Sequence, residues 1–200
     1  MAKEADDPSE IGQQFFYGEG RKKSYKKAFP YLIKAAYKGD PHCQNLVGYS
    51  YFKGLGVERN FVTAVYWFEF SARNNDIEGL SNLAMCYFKG IGIEQNDKKA
   101  FLLYKRAATL GDAWSQRNLG VLYREGTGTK QNLKEGIKWL RKAASQGDAL
   151  AQYNLGTAYL DGQGVKKNIN YAQLWLDKAS KQGHKKASAE LKKLLSKKKP

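Results

Sequence analysis

Apolar residues return along this chain at helical spacing, in a pattern that repeats every 36 residues. One segment of each copy places small or apolar residues at positions i, i+3, i+4, i+7 and i+8, as in Ala64, Trp67, Phe68, Ser71 and Ala72. This spacing puts them on one face of a helix. An earlier segment of the same copy, residues 41–53, groups its apolar residues at spacings of three and four. The pattern therefore predicts two amphipathic helices in every copy.

A Gly-x-Gly turn separates the two predicted helices of each copy. Its first glycine recurs every 36 residues, at Gly18, Gly54, Gly90, Gly126 and Gly162. Glycine accepts the left-handed backbone with which helices commonly end. An asparagine six residues later, as at Asn60, is a good N-cap for the second helix. A period of this length is typical of a stacked helical array, whose core is a continuous seam between neighbouring repeats.

Three further positions recur with the same period. A small residue lies within each predicted first helix, although glycine there costs up to about 1 kcal/mol relative to alanine. We therefore expect two helices to approach closely at that point. Gly or Asn ends each second helix, and an Asp follows that can begin the next helix. The three sets are Gly12, Gly48, Ala84, Gly120 and Gly156; Gly39, Asn75, Gly111, Gly147 and Gly183; and Asp40, Asp76, Asp112 and Asp148.

These signals predict an all-α fold made of five two-helix repeats and one closing helix. We expect a flexible lead-in at residues 1–9, an array over residues 10–196 and a basic tail at residues 197–200. The expected repeats are about 10–40, 41–76, 77–112, 113–148 and 149–184, with the closing helix at 185–196. The lysine-rich outer side of that helix suits the polar face that a terminal repeat requires.

The motif Asn-Leu-Gly-x-x-Tyr followed by Gly-x-Gly and by Trp-Leu-x-Lys-Ala-Ala resembles the Sel-one-like repeat family, which is related to the tetratricopeptide repeats. It fits best at residues 116–147 and 152–183. The resemblance implies a right-handed α-solenoid whose first helices line a concave face. It also implies a binding scaffold for proteins, often bacterial, with immunity and assembly proteins among its forms. The first repeat departs from the motif, with Glu19, Arg21 and Pro30 at unusual places.

Composition narrows the choice of partner and compartment. The chain has 34 Lys and Arg against 19 Asp and Glu, a net charge of +15, so we expect an acidic protein partner. The alternative is that the charge serves only to keep the protein soluble. It has no apolar run long enough to cross a membrane. The first eight residues lack the apolar core of a signal peptide, which favours the cytoplasm. Periplasmic or secreted locations stay open if the native chain begins further upstream.

No catalytic or metal-binding constellation is evident. Cys43 and Cys86 fall at different places in the repeat, so no periodic disulfide framework is expected, and both are predicted to be packed. His42 and His184 have no partner at metal-ligand spacing. The Gly-x-Gly turns lack the strand and the third glycine of a dinucleotide site. We therefore expect a protein that is not an enzyme, with no cofactor, metal or small-molecule substrate.

The candidate binding residues lie on one strip of the first helices, where the repeats differ from one another. Asparagines one period apart can hydrogen-bond an extended peptide backbone. Aromatic residues and arginine beside them are typical of interface hot spots. The alternative is that the asparagines brace neighbouring helices and the aromatics are ordinary packing. The candidates are Tyr49, Asn82, Met85, Trp114, Arg117, Asn118, Tyr153 and Asn154.

Phe70 stands where the other second helices carry a cation, at Lys34, Arg106, Lys142 and Lys178. It either marks an exposed contact or packs against Tyr66.

Two rival functions stay open at this point. Lysine-rich segments at the two ends could bind anionic surfaces or nucleic acid. They form no continuous stripe and carry no interleaved aromatic residues, so nucleic acid is not the expected partner. An enzyme is the second rival, because some relatives of the family are linked to β-lactam binding. No serine–lysine or zinc constellation in this chain supports it.

Overall fold

The computed structural model describes residues 7–196. Within that range it contains eleven α-helices and no strand. The helices are α1 Pro8–Tyr17, α2 Tyr25–Tyr37, α3 Pro41–Lys53, α4 Phe61–Arg73, α5 Ile77–Lys89, α6 Asp97–Thr109, α7 Ala113–Glu125, α8 Leu133–Ser145, α9 Ala149–Asp161, α10 Ile169–Lys181 and α11 Lys185–Ser196. The prediction of an all-α array of two-helix repeats followed by one closing helix is confirmed.

The chain divides into two compact halves, with the boundary inside α6 between Leu103 and Tyr104. In the N-terminal half, α1 packs on α2 and α3 packs on α4, while α2 and α4 also contact the first helix of the following repeat. In the C-terminal half, α7 pairs with α8 and α9 pairs with α10, and α11 packs on α10. Each half therefore builds its core from consecutive helices.

The recurring polar residues begin and end the helices as predicted. Asp40 precedes α3, and its carboxylate accepts a hydrogen bond from the Cys43 backbone N–H at 2.8 Å. Asn60 caps α4 in the same way through the Thr63 N–H. Gly54 ends α3 with φ of 74°, and Asn75 adopts φ of 58° after α4. The repeated Asp, Asn and Gly positions are thus explained by helix capping.

The structure explains why the second residue of the Gly-x-Gly turn is glycine, which the sequence did not reveal. A Cβ atom on Gly56 would lie 2.4 Å from the Tyr25 carbonyl oxygen, and one on Gly92 would lie 2.3 Å from that of Phe61. Tyr25 and Phe61 are the first residues of α2 and α4, which are the second helices of the respective preceding repeats. The turn of one repeat therefore lies directly against the second helix of the repeat before it.

The small residue of the first helices marks a close helix–helix approach, as predicted. A Cβ atom on Gly48 would lie 2.7 Å from the Phe68 ring, and one on Gly120 would lie 2.8 Å from Leu140 Cγ. A Cβ atom on Gly12 or Gly156 would likewise meet a leucine, at the position of the second helix that is equivalent to Phe68 and Leu140. The two helices of each of these repeats can pack at this distance only because the side chain is missing.

The first helix begins two residues earlier than the sequence indicated. Asp7 accepts a hydrogen bond from the Ser9 N–H at 3.1 Å, and Pro8 occupies the first turn, where its missing N–H is harmless. Ser9 is buried and donates to Asp40 at 2.6 Å. Residues 8 and 9 therefore belong to the folded array. Residues 1–6 of the expected lead-in and the expected tail at 197–200 lie outside the described residues.

Buried glutamine side chains tie successive second helices together in the C-terminal half. The Gln116 and Gln152 amides donate to the carbonyl oxygens of Ala108 and Ala144 at 3.1 Å. Their side-chain oxygens accept from Gln146 and Gln182, both at 2.8 Å. Those two residues also donate to the Gly111 and Gly147 carbonyls. Each glutamine pair therefore joins three segments of chain.

The same network is incomplete in the N-terminal half. Gln44 donates to the Ala36 carbonyl at 3.1 Å, but its buried side-chain oxygen has no hydrogen-bond partner. The residue at the position of Gln146 and Gln182 is Asn74, whose shorter amide donates to the Phe70 carbonyl instead. A buried polar atom without a partner costs about 1–3 kcal/mol.

We predict that Asn74→Gln raises the free energy of unfolding by about 1 kcal/mol, because the longer amide can donate to Gln44. The backbone angles of Asn74 and Gln146 are similar, so the change introduces no strain. Urea unfolding followed by circular dichroism measures the effect. Asn74→Glu has the same length but no N–H donor, and it should give no gain. Equal stability of Asn74→Gln and the wild type would contradict the interpretation.

Candidate functional site

A groove of about 310 Å³ lies across the first helices of the N-terminal half. Residues of three successive first helices, α1, α3 and α5, form its walls. The lining residues are Phe16, Tyr17, Asn45, Leu46, Tyr49, Glu78, Ser81 and Asn82. Two of the sequence candidates, Tyr49 and Asn82, are among them. Met85 is half-buried one turn further along α5 and is not part of the lining.

The floor of this groove is a chain of polar side chains that braces α3 against α5. Asn45 is buried and donates to the Glu78 carboxylate at 2.7 Å. Its oxygen accepts from the Asn82 amide at 2.8 Å. One N–H of Asn82 is therefore used within the protein, as the bracing alternative anticipated. The carboxylate of Glu78 remains exposed at the edge of the groove.

Aromatic side chains form one wall of the groove. The Tyr17 hydroxyl lies 3.1 Å from His42 Nε2, and the two rings stack with centroids 6.3 Å apart. Phe16 meets Tyr49 edge to face at 6.5 Å. Sequence reasoning missed Phe16 and Tyr17 because they lie in the irregular first repeat. The aromatic run at residues 15–17 was the available signal.

Charged groups of both signs lie near the groove. Burial raises the pKa of Tyr17 to about 12, and the carboxylates of Glu78, Glu19 and Asp76 add to the rise. Negative charge nearby disfavours the tyrosinate. Carboxylates therefore lie on the Tyr17 side of the groove, whereas the Lys53 ammonium lies 5.8 Å from the Tyr49 ring centroid.

In the C-terminal half, Trp114 and Arg117 come together on α7. The Arg117 guanidinium lies 6.0 Å from the Trp114 ring centroid, and it pairs with Asp148 at 3.3 Å. Asp148 also caps α9 through the Ala151 N–H. Arg117 therefore connects α7 to the beginning of α9, and much of its charge is balanced within the protein.

The remaining candidates have separate environments. The Asn118 amide donates to the Trp114 carbonyl at 2.9 Å, within its own helix. Tyr153 stacks on His184 at 4.6 Å, and His184 Nδ1 accepts from the Ala187 N–H at the start of α11. Asn154 is half-buried on α9. The structure thus places three candidates in the N-terminal half and five in the C-terminal half, and only Tyr49 and Asn82 line the groove described above.

The two cysteines are not placed to act as nucleophiles. Cys43 and Cys86 are free and buried, as predicted, and burial raises their pKa values to about 11 and about 12. Thiols in this state are poor nucleophiles. Among residues 7–196, no three His, Cys, Asp or Glu side chains are grouped so as to hold a metal ion. No helix in this range combines the length and apolar composition needed to cross a membrane.

The structure defines a protein built of two-helix repeats. A model of the Sel1 repeat matches residues 10–40, 41–76, 77–112, 115–148 and 149–184, and the chain therefore belongs to the Sel1 repeat family. The resemblance found in the sequence is confirmed. Sel1 repeat proteins are generally scaffolds for protein interactions and are typically not enzymes.

Two solved structures resemble nearly the whole chain. A protective antigen of uropathogenic Escherichia coli with an SLR fold is 30% identical with a TM-score of 0.88, over 95% of this chain and 41% of its own. A Sel1 repeat protein from Oxalobacter formigenes is 30% identical with a TM-score of 0.85, over 92% of this chain and 73% of its own. This likeness confirms the α-solenoid class, and the chain spans less than half of the antigen.

A more distant likeness concerns the fold alone. An immunity protein from Pseudomonas aeruginosa is 20% identical with a TM-score of 0.58, over 92% of this chain and 69% of its own. No curated protein shows significant similarity to this chain.

We predict that Asn45→Ala lowers the free energy of unfolding by about 2 kcal/mol, because Asn82 and Glu78 both lose their partner in a buried network. Asn118→Ala is the matched control, since it removes only a bond within one helix and should change stability by less than about 0.5 kcal/mol. Urea unfolding of both variants tests this. Equal losses would show that the polar chain beneath the groove does not brace α3 and α5.

Proposed function

We propose that this protein is a non-enzymatic scaffold that holds an extended segment of a protein partner in the groove across α1, α3 and α5. The observation that carries the proposal is the groove itself, which combines an aromatic wall with a braced polar floor. Interfaces concentrate their binding energy in such places, where an anchor side chain is desolvated among aromatic residues. The scaffold role agrees with the family, and the specific groove is our assignment.

The shape of the site favours a short anchor over a folded domain. A volume of about 310 Å³ is at the lower end of ligand pockets, which run from about 300 to about 1,000 Å³. Asn45 is held rigidly by its two partners, so little ordering is required of the floor when a ligand binds. The exposed Glu78 carboxylate remains at the rim, where it can fix the register of a backbone by accepting a hydrogen bond.

The charge of the groove selects the chemistry of that anchor. We infer an apolar or basic side chain, because Glu78 and the neighbouring carboxylates disfavour an anionic one. An acidic partner, expected from the net charge, then places its carboxylates elsewhere on the protein. The other sequence candidates, Met85, Trp114, Arg117, Asn118, Tyr153 and Asn154, remain proposed contacts for the rest of the partner.

One biological form of such binding is an immunity or assembly protein. The fold shared with the Pseudomonas immunity protein supports this form at the level of architecture. In that role the groove would hold a segment of a toxin and so block it.

We predict that Tyr49→Ala weakens partner binding about tenfold or more, as expected for an aromatic hot spot. The measurement is capture of partners from a lysate of the native host, followed by titration of the purified partner. Val62→Ala, an exposed change on α4, is the control and should leave binding unchanged. If Tyr49→Ala captures the same partner with the same affinity, the groove is not the binding site.

A further inference from the structure

A second recess, of about 650 Å³, lies in the C-terminal half between the second helices α8 and α10. We call it the basic aromatic pocket, and its lining residues are Arg141, Lys142, Ser145, Tyr159, Tyr171 and Trp175. It shares no residue with the N-terminal groove or with the candidates chosen from the sequence. Its residues come from α8, α9 and α10.

The tyrosines and the arginine of this pocket are fixed in place. Arg141 donates to the Tyr159 hydroxyl at 2.8 Å, and its guanidinium lies 5.8 Å from the same ring. Tyr159 and Tyr171 stack with centroids 5.2 Å apart. A guanidinium has five N–H donors, so one bond to Tyr159 leaves others directed outward.

The cations of the pocket are not neutralised by the protein. Arg141 and Lys142 are exposed, and neither forms an ion pair within the described part of the chain. No Asp or Glu is among the lining residues. The Lys142 ammonium lies 4.3 Å from the Trp139 ring centroid, which restrains the chain at the pocket edge.

The corresponding place in the N-terminal half shows that this charge is not required by the fold. Two periods earlier, the residue at the position of Arg141 is Glu69, which accepts from the Tyr87 hydroxyl at 3.5 Å. Lys99 replaces Tyr171 there and lies over the same tyrosine at 5.0 Å. Phe70 replaces Lys142 and packs against Tyr66 at 4.7 Å, which settles the alternatives left open by the sequence. Arg73 stands there at the position of Ser145, so that place holds two cations and one carboxylate. The C-terminal pocket has two cations and no carboxylate.

We propose that the basic aromatic pocket binds an acidic peptide segment of a protein partner, with an aromatic or aliphatic side chain among its carboxylates. Arg141 and Lys142 receive the carboxylates, since a charge-assisted bond from a preorganised guanidinium is strong and directional. Tyr171 and Trp175 provide the wall for the apolar side chain. This surface is distinct from the groove across α1, α3 and α5. Its cations bind the carboxylates of an acidic partner, which the groove does not accommodate.

Charge distribution favours a peptide over nucleic acid. A single strand requires a basic groove that follows several phosphates, with aromatic residues along it. Here carboxylates interrupt the surface on both helices, because Glu135 pairs with Lys138 on α8 and Asp177 pairs with Lys181 on α10. The cations along α8 and α10 therefore form no continuous track for a phosphate backbone.

Fluorescence polarisation with a short labelled peptide of alternating Glu and Phe tests the proposal on the full-length protein. We expect Arg141→Glu combined with Lys142→Glu to lower affinity about tenfold or more, as for a hot spot. Lys130→Glu combined with Lys134→Glu makes the same change in net charge on exposed residues outside the pocket, and we expect it to lower affinity less than about threefold. Tyr171→Ala should also weaken binding, and circular dichroism confirms that each variant is folded.

Three outcomes would overturn the proposal. Equal losses of peptide affinity in the two double variants would show that the effect comes from net charge alone. If the Arg141→Glu and Lys142→Glu variant loses binding but Tyr171→Ala binds as tightly as the wild type, the aromatic wall is not part of the binding site. Tighter binding of labelled oligothymidylate or of anionic lipid vesicles, dependent on Arg141 and Lys142, would assign the pocket to another class of ligand. Tyr49→Ala should leave peptide binding unchanged, so failure here is distinguishable from failure of the groove.

Discussion

Close approach of two helices at a residue without a side chain is the constraint on which the rest of this structure depends. A Cβ atom on Gly12, Gly48, Gly120 or Gly156 would come within 2.8 Å of the second helix of its own repeat. Interiors packed at crystal density have no space for such an atom. This contact recurs at the 36-residue register in four of the five repeats, and Ala84, the next smallest residue, takes the position in the third. The capping residues and the Gly-x-Gly turns recur at the same period.

Positions away from that contact are free to vary, and the candidate sites lie there. The register of Tyr87 and Tyr159 illustrates this freedom, since one hydroxyl pairs with Glu69 and the other with Arg141. The same helical frame thus supports a site that contains a carboxylate in one half and a cationic pocket without one in the other. The first helices differ similarly, with the Asn45 network in one place and the Arg117–Asp148 pair in another.

The sequence predicted the fold well because its determinants are local and periodic. Asp40, Asn60 and Gly54 act on their own helix ends, and a 3.6-residue period identifies the buried faces. The surroundings of the candidate site residues could not be predicted from the sequence, because they depend on which helices become neighbours. Asn82 was identified as a binding residue, yet one of its donors is committed to Asn45, and Arg117 is paired with Asp148. Neither partner can be found from spacing within one helix.

The stability of Gly120→Ala tests the central constraint most directly, because helix propensity and packing predict opposite signs. Propensity alone would raise the free energy of unfolding by about 1 kcal/mol. The new Cβ atom would lie 2.8 Å from Leu140 Cγ and 2.9 Å from the Gly136 carbonyl oxygen, which belongs to a backbone that cannot easily move. We predict a loss of about 1–3 kcal/mol in urea unfolding. A variant more stable than the wild type would contradict the account.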